Sequence, residues 1–152
     1  MASLIECVPN FSEGVNIETL NLIAKSISAI EGVRLLHQDT GVAANRTVFT
    51  FAGEADAVID AAFQAISVAV DKIDMQKHSG EHPRIGACDV CPFIPISGIE
   101  KEELNAKVLD FAERVNKDFE IPIYLYEHSA SESNRTNLAN HRIGNYESLE
   151  ER

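Results

Sequence analysis

Basic residues are scarce in this chain: 13 Lys and Arg stand against 24 Asp and Glu, a net charge of −11. That balance argues against a nucleic-acid partner, because holding a phosphate backbone takes clustered Lys and Arg. Long apolar runs are absent too. None approaches the roughly 20 residues that cross a bilayer, and no basic segment leads into an apolar stretch at the N-terminus. No membrane association is expected, and the sequence reads as cytoplasmic. Cysteine is limited to three, an odd number that fits reduced thiols rather than a disulfide framework. Internal repeats and low-complexity segments are missing as well. What is present, 152 residues of which 45% are hydrophobic and 24% charged, suits a single globular domain with one core.

Hydrophobic spacing outlines the elements. Leu4–Val8 reads as a first strand ended by Pro9, with Asn10, Ser12 and Gly14 as turn formers. From Ile17 the apolar residues Leu20, Ile23, Ala24, Ile27 and Ile30 recur at helical steps, and Gly32 supplies a stop. Val33–Asp39 and Arg46–Phe51 read as the second and third strands, joined by a Thr40–Asn45 loop. A long second helix places Val58, Ala62, Ala65, Ile66, Ala69 and Ile73 on one face and Glu54 and Asp56 in its first turn, at the positive end of the helix dipole. Asp89–Ile94 reads as a fourth strand, Glu100–Phe119 as a third helix and Ile121–Tyr126 as a fifth strand, with a short helix near Thr136–Arg142. The order βαββαβ followed by αβ predicts an α/β (α+β) fold: a ferredoxin-like split unit with an additional αβ. Its helices would cover one sheet face and leave the other to a partner.

Chemistry concentrates in the loop after the second helix. An ordinary connection needs about 2–6 residues and turn chemistry only. The stretch from Lys77 to Pro95 instead holds His78, Glu81, His82, Arg84, Cys88, Asp89 and Cys91, with Gly80 and Gly86 shaping its backbone. Lys77, Arg84 and two titratable histidines face only Glu81 in its first part, so a locally positive loop on an acidic body is expected to focus an anion. His82 is the candidate proton shuttle, since imidazole titrates near neutrality. Glu81, or a carboxylate from another loop, is expected to fix its tautomer. Asp39 closes the second strand, Asn45 and Arg46 open the third, and Asn10 follows the first. Strand-end loops of this kind gather into sites, and a guanidinium offers a planar fork for a carboxylate.

Metal and redox readings do less well. His78-x3-His82 with Cys88 and Cys91 looks superficially like a zinc set. Cysteines three apart on a strand point to opposite faces unless a bulge intervenes, however, and Pro83 breaks any helix that would align the histidines. A redox Cys-x-x-Cys works at a helix N-terminus, whereas Pro92 and Pro95 favour extended chain. No metal is expected, and both cysteines read as packing residues.

Three blocks resemble the formiminotransferase family: Glu-Cys-Val-Pro-Asn-Phe-Ser-Glu-Gly over residues 6–14, Asn-Arg-Thr-Val over 45–48, and the run from Gly80 to Pro95. Asp74-Met75, the Pro122–Tyr126 segment and the Arg142-Ile-Gly-x-Tyr-Glu-x-Leu149 tail are similar as well, so the resemblance covers essentially the whole chain. Asn145 departs from it, standing where the family tends to carry an acidic residue. Length departs too: residues 1–152 resemble one N-terminal subdomain, and the family's second subdomain is absent from this chain. The resemblance implies transfer of the formimino group of N-formimino-L-glutamate to tetrahydrofolate, the co-substrate, in histidine breakdown. His82 would be the catalytic histidine, with no metal. Asp39, Asn45, Arg46, Glu81, Arg84 and Asn10 are the candidates for holding folate or formiminoglutamate. Folate would lie in a cleft completed by a C-terminal subdomain, or by a second copy of the chain docked on the open sheet face. Formyl transfer from N-formylglutamate, or a non-catalytic folate-binding or interaction module, stays open.

Overall fold

The computed structural model describes residues 2–130, 136–138 and 146. Its strands are β1 (Leu4–Cys7), β2 (Asn10–Phe11), β3 (Val33–Gly41), β4 (Arg46–Gly53), β5 (Cys88–Val90) and β6 (Phe93–Ser97). Its helices are α1 (Ile17–Ser28), α2 (Ala55–Lys72) and α3 (Lys101–Phe119). β1 pairs with β4 and β6, β2 with β4 and β5, and β3 with β4, every pair antiparallel. β2 prolongs the line of β1, and β6 that of β5. The sheet therefore has four lines in the order fourth, first, third, second, which is the ferredoxin-like arrangement of a βαββαβ unit.

Alternation along the strands decides which face is buried. Ile5, Cys7, Phe11, Phe49 and Phe51 are fully enclosed, and Phe11 meets Phe49 edge-on at 5.7 Å. The apolar stripes of α1 (Leu20, Ile23, Ile27) and α2 (Val58, Ala62, Ala65, Ile66, Ala69) join them in one core. Leu4, Ile94 and Ile96, on the alternate positions, stay exposed on the opposite face. α1 begins at Asn16, whose side chain accepts from the Thr19 amide. Glu54 serves α2 as N-cap instead of lying in the first turn, its carboxylate accepting from the Asp56 and Ala57 amides.

Several boundaries differ from the sequence reading. Pro9 interrupts the first strand without ending it. Burial of Phe11 draws the chain back, and Asn10 and Phe11 rejoin the ladder against β4 and β5. β3 runs on to Gly41, so Asp39 lies inside a strand rather than at its end, and only residues 42–45 remain as the hairpin connection. Cys91 and Pro92 split the fourth strand in two, because proline cannot donate to a ladder. The expected strand Ile121–Tyr126 is not formed. Glu120 turns the chain out of α3 at φ 54°, Pro122 lacks a donor, and the segment hangs instead from the Asn116 side chain, which donates to the Ile121 carbonyl at 2.7 Å. The additional αβ unit is thus α3 alone. The short helix expected near Thr136–Arg142, and the tail beyond it, fall largely outside the described residues.

Candidate active site

Three segments meet at one end of the sheet: residues 12–16 after β2, the 42–45 hairpin, and the 77–87 loop. Their approach depends on missing side chains. A Cβ on Gly14 would sit 2.5 Å from the Gly41 carbonyl oxygen, and one on Gly80 would sit 2.3 Å from that of Ala44. Hydrogen bonds use this closeness. The Gly14 amide donates to Asn45 Oδ1 at 2.8 Å, and the Glu81 amide to the Ala43 carbonyl at 3.2 Å. The far end of the long loop is tied by Ser12, whose hydroxyl donates to the Gly86 carbonyl at 2.7 Å and whose amide donates to that of Ala87 at 2.8 Å. A loop pinned at both ends can hold a side chain to a set geometry.

His82 is the half-buried side chain at its middle. Its Nε2 meets an Nη of Arg46, the first residue of β4, and its Nδ1 lies 2.7 Å from the Pro83 carbonyl. Guanidinium can only donate. The hydrogen-bond network therefore assigns a neutral ring that accepts through Nε2 and donates from Nδ1–H. The tautomer is fixed by a backbone carbonyl, and not by Glu81, whose side chain is exposed.

Arg84 serves the loop itself: Nε donates to His78 Nδ1 at 3.0 Å, and Nη2 to the His78 carbonyl at 3.2 Å. His78 then donates from Nε2 to the Asn45 carbonyl at 2.9 Å. Lys77 lies 3.7 Å from Asp74 in an exposed pair. Asn45 has a left-handed backbone (φ 50°), and its Nδ2 donates to the Ser79 carbonyl at 3.0 Å.

Register brings two more candidates into line. Val48 of β4 is paired with Asn10 on one side and Asp39 on the other. Directly opposed residues share a face, so the three form a row on the side turned away from the helices, one alternate position along β4 from Arg46. Asp39 is exposed there. The Asn10 side-chain oxygen is buried with no hydrogen-bond partner among the described residues. Such an orphan costs about 1–3 kcal/mol unless a bound molecule supplies a donor. Asn10, Asp39, Arg46 and His82 thus gather at this end of the sheet, while Asn45 and Arg84 are engaged with the protein behind them.

The cysteines correct the expectation of opposite faces. The break at Cys91-Pro92 swings Cys91 back, so that its Sγ lies 3.7 Å from Cys7 Sγ and beside the Cys88 thiol, which also donates to the Val90 carbonyl at 3.6 Å. The Cys88 thiol is held well above its ordinary range by the hydrogen bond to Cys91, then by burial; Cys91 is raised through its hydrogen bond to Cys7 and by burial. Both pKa values exceed those of the unfolded chain, so the resulting stabilisation is complete below the ordinary thiol range. It fades as pH rises above 9.0 toward the folded values. Because the thiolate is the reactive form, folded protein at pH 8 should resist iodoacetamide. Mass spectrometry should find these thiols alkylated only after denaturation; rapid labelling of Cys88 in folded protein would contradict the assignment.

A hollow of about 1270 Å³ lies between the C-terminal end of α2, β5, α3 and the 121–129 segment. Ile66, Val70, Val108, Phe111 and Val115 make its walls largely hydrocarbon, and it does not reach His82.

Fold and site together define a ferredoxin-like α+β domain that presents an imidazole–guanidinium pair beside a sheet face on which no helix lies among the described residues. The chain matches the formiminotransferase domain, N-terminal subdomain, over residues 4–152, and it belongs to that family. It is 45% identical over 152 residues to the glutamate formimidoyltransferase of Streptococcus pyogenes serotype M1, covering 100% of this chain and 51% of that protein. It is 41% identical over 151 residues to the glutamate formimidoyltransferase of Thermoplasma acidophilum, covering 98% of this chain and 50% of that one. Identity is 45% over 152 residues to the formimidoyltransferase-cyclodeaminase of Mus musculus, of which the chain covers 28%. The chain thus spans about half the length of the monofunctional relatives and less of the bifunctional one.

Proposed function

We propose that the chain acts as the N-terminal part of a glutamate formimidoyltransferase, a cytoplasmic enzyme that moves the formimino group of N-formimino-L-glutamate to tetrahydrofolate in histidine degradation. The observation that carries the reading is a half-buried His82 whose Nδ1–H is locked on the Pro83 carbonyl and whose Nε2 lone pair is covered by Arg46. The relatives' names support the formimino transfer itself.

Arg46 offers one hydrogen bond to the imidazole but two parallel, charge-assisted ones to a carboxylate. An incoming substrate carboxylate draws the guanidinium over and uncovers Nε2. Reduced folate supplies a neutral amine nucleophile. His82 Nε2 takes the proton of the attacking nitrogen once the new C–N bond has formed. It returns that proton to the departing glutamate nitrogen as the old C–N bond breaks, so the ring ends as it began. Asp39 orients the cationic amidine or the pterin, the Asn10 oxygen accepts from an N–H of the bound molecule, and Arg84 and the Glu81 backbone hold the loop. A C-terminal subdomain, or a second copy of the chain, forms the other wall.

Arg46→Ala should raise the KM for formiminoglutamate about tenfold or more, the worth of a charged hydrogen bond; unchanged Michaelis constants for both substrates would remove the anion-holding role. The function itself is tested by offering N-formimino- and N-formylglutamate side by side, with tetrahydrofolate, to the full natural polypeptide carrying this domain. Preference for the formyl donor would move the assignment to formyl transfer. Folate binding without turnover of either donor would make the chain a non-catalytic module.

A further inference from the structure

We infer that Asn45 is a positioning residue for the His82–Arg46 pair, a brace that sets how far the imidazole's loop stands from the guanidinium's strand. The inference rests on the proposed role of His82. The two partners lie 36 residues apart in sequence, on different elements, and their alignment depends on contacts between loops. Asn45 adjoins Arg46 and touches each of the three segments. Its Oδ1 accepts from the Gly14 amide at 2.8 Å, its Nδ2 donates to the Ser79 carbonyl at 3.0 Å, its carbonyl accepts from His78 Nε2 at 2.9 Å, and its amide donates to the Val42 carbonyl at 3.1 Å.

Residue type follows from these demands. The backbone is left-handed at φ 50°, a conformation that few non-glycine residues accept and that asparagine tolerates. The side chain must accept at one end and donate at the other. Aspartate would keep the first tie and set a negative charge against the Ser79 carbonyl, whereas glycine would keep the backbone and lose both ties. Since both ends of the carboxamide are bonded to backbone, Asn45 acts on the reaction through the geometry it enforces. It stands at the sheet's edge, outside the hydrophobic core, so loosening it should disturb alignment more than global stability.

The test is a double-mutant cycle in the full natural polypeptide carrying this domain. Asn45→Gly should fold with a melting temperature near that of the parent and lower kcat about tenfold with little change in either KM, because no backbone is pushed apart and Arg46 stays held in the β4 ladder while only the His82 loop loosens. In a His82→Ala background the same change should cost less than about twofold, because the brace acts only through the imidazole. Asn45→Asp, which keeps the Gly14 tie, should lose less than Asn45→Gly, and it stands in for that variant should the glycine form not fold. Equal losses in both backgrounds, a raised KM with kcat kept, or parental kcat in Asn45→Gly would each overturn the inference. Failure of the underlying reading looks different: His82→Ala alone would then turn over at nearly the parental rate, whatever stands at position 45.

Discussion

His82→Ala will lower kcat by about 10²- to 10⁴-fold, the span that a positioned acid–base group contributes. The loss should appear equally in kcat and kcat/KM, because the ring exchanges its proton only after the new bond has formed. Folding should be unaffected. The side chain is half-buried in a surface loop, and its partners are a carbonyl and a guanidinium that water can satisfy once the ring is gone. Steady-state kinetics with both substrates, alongside a melting curve, make the check. Near-parental turnover in a folded variant would end the assignment of His82.

Gly80→Ala comes next in size, at about 10²-fold in kcat/KM, the scale of an ångström's misplacement of a reacting group. Its Cβ would fall 2.3 Å from the Ala44 carbonyl oxygen and 3.0 Å from Asn45 Cβ. The first of these is backbone, so the loop and the hairpin must part. Arg46 and His82 ride on opposite sides of that contact, so KM should rise together with the fall in kcat, unlike the pattern for His82→Ala. Stability should drop by about 1–3 kcal/mol, as for other overpacked sites. Gly86→Ala is the control. There the nearest atom outside the immediate chain neighbours, the Cys88 carbonyl oxygen, is 3.6 Å away, an ordinary contact, and the change should be close to neutral. Parental activity in Gly80→Ala would show that the close approach of loop and hairpin is not needed.

The helices were legible in the sequence because their apolar residues repeat at the helical period, and the expected stripe of α2 is the one found buried. The ferredoxin-like order followed from the elements alone. Strand continuity did not. Pro9 and Pro92 look alike as breakers, yet each only interrupts a line of strand, because Phe11 and Phe93 return the chain to the sheet. Ile121–Tyr126 has the composition of a strand but gains no ladder partner, and pairing is a tertiary choice that period-two patterning cannot decide. At the site, the sequence pointed to His82 and Arg46 separately. Their contact, and the use of the Pro83 carbonyl to orient the ring, were beyond it, since main-chain acceptors leave no mark on residue type. Ser12 was visible only as a turn former. The convergence of the cysteines was hidden by the same strand break that causes it.

β4 is laddered on both edges, by β3 on one side and by β1 and β2 on the other. One half of the reactive pair is therefore welded to the part of the molecule that opens last, whereas the other half rides on a surface span that opens first. On warming, competence for chemistry would be surrendered and regained by that span alone, well before the packed apolar side chains beneath the sheet notice the heat.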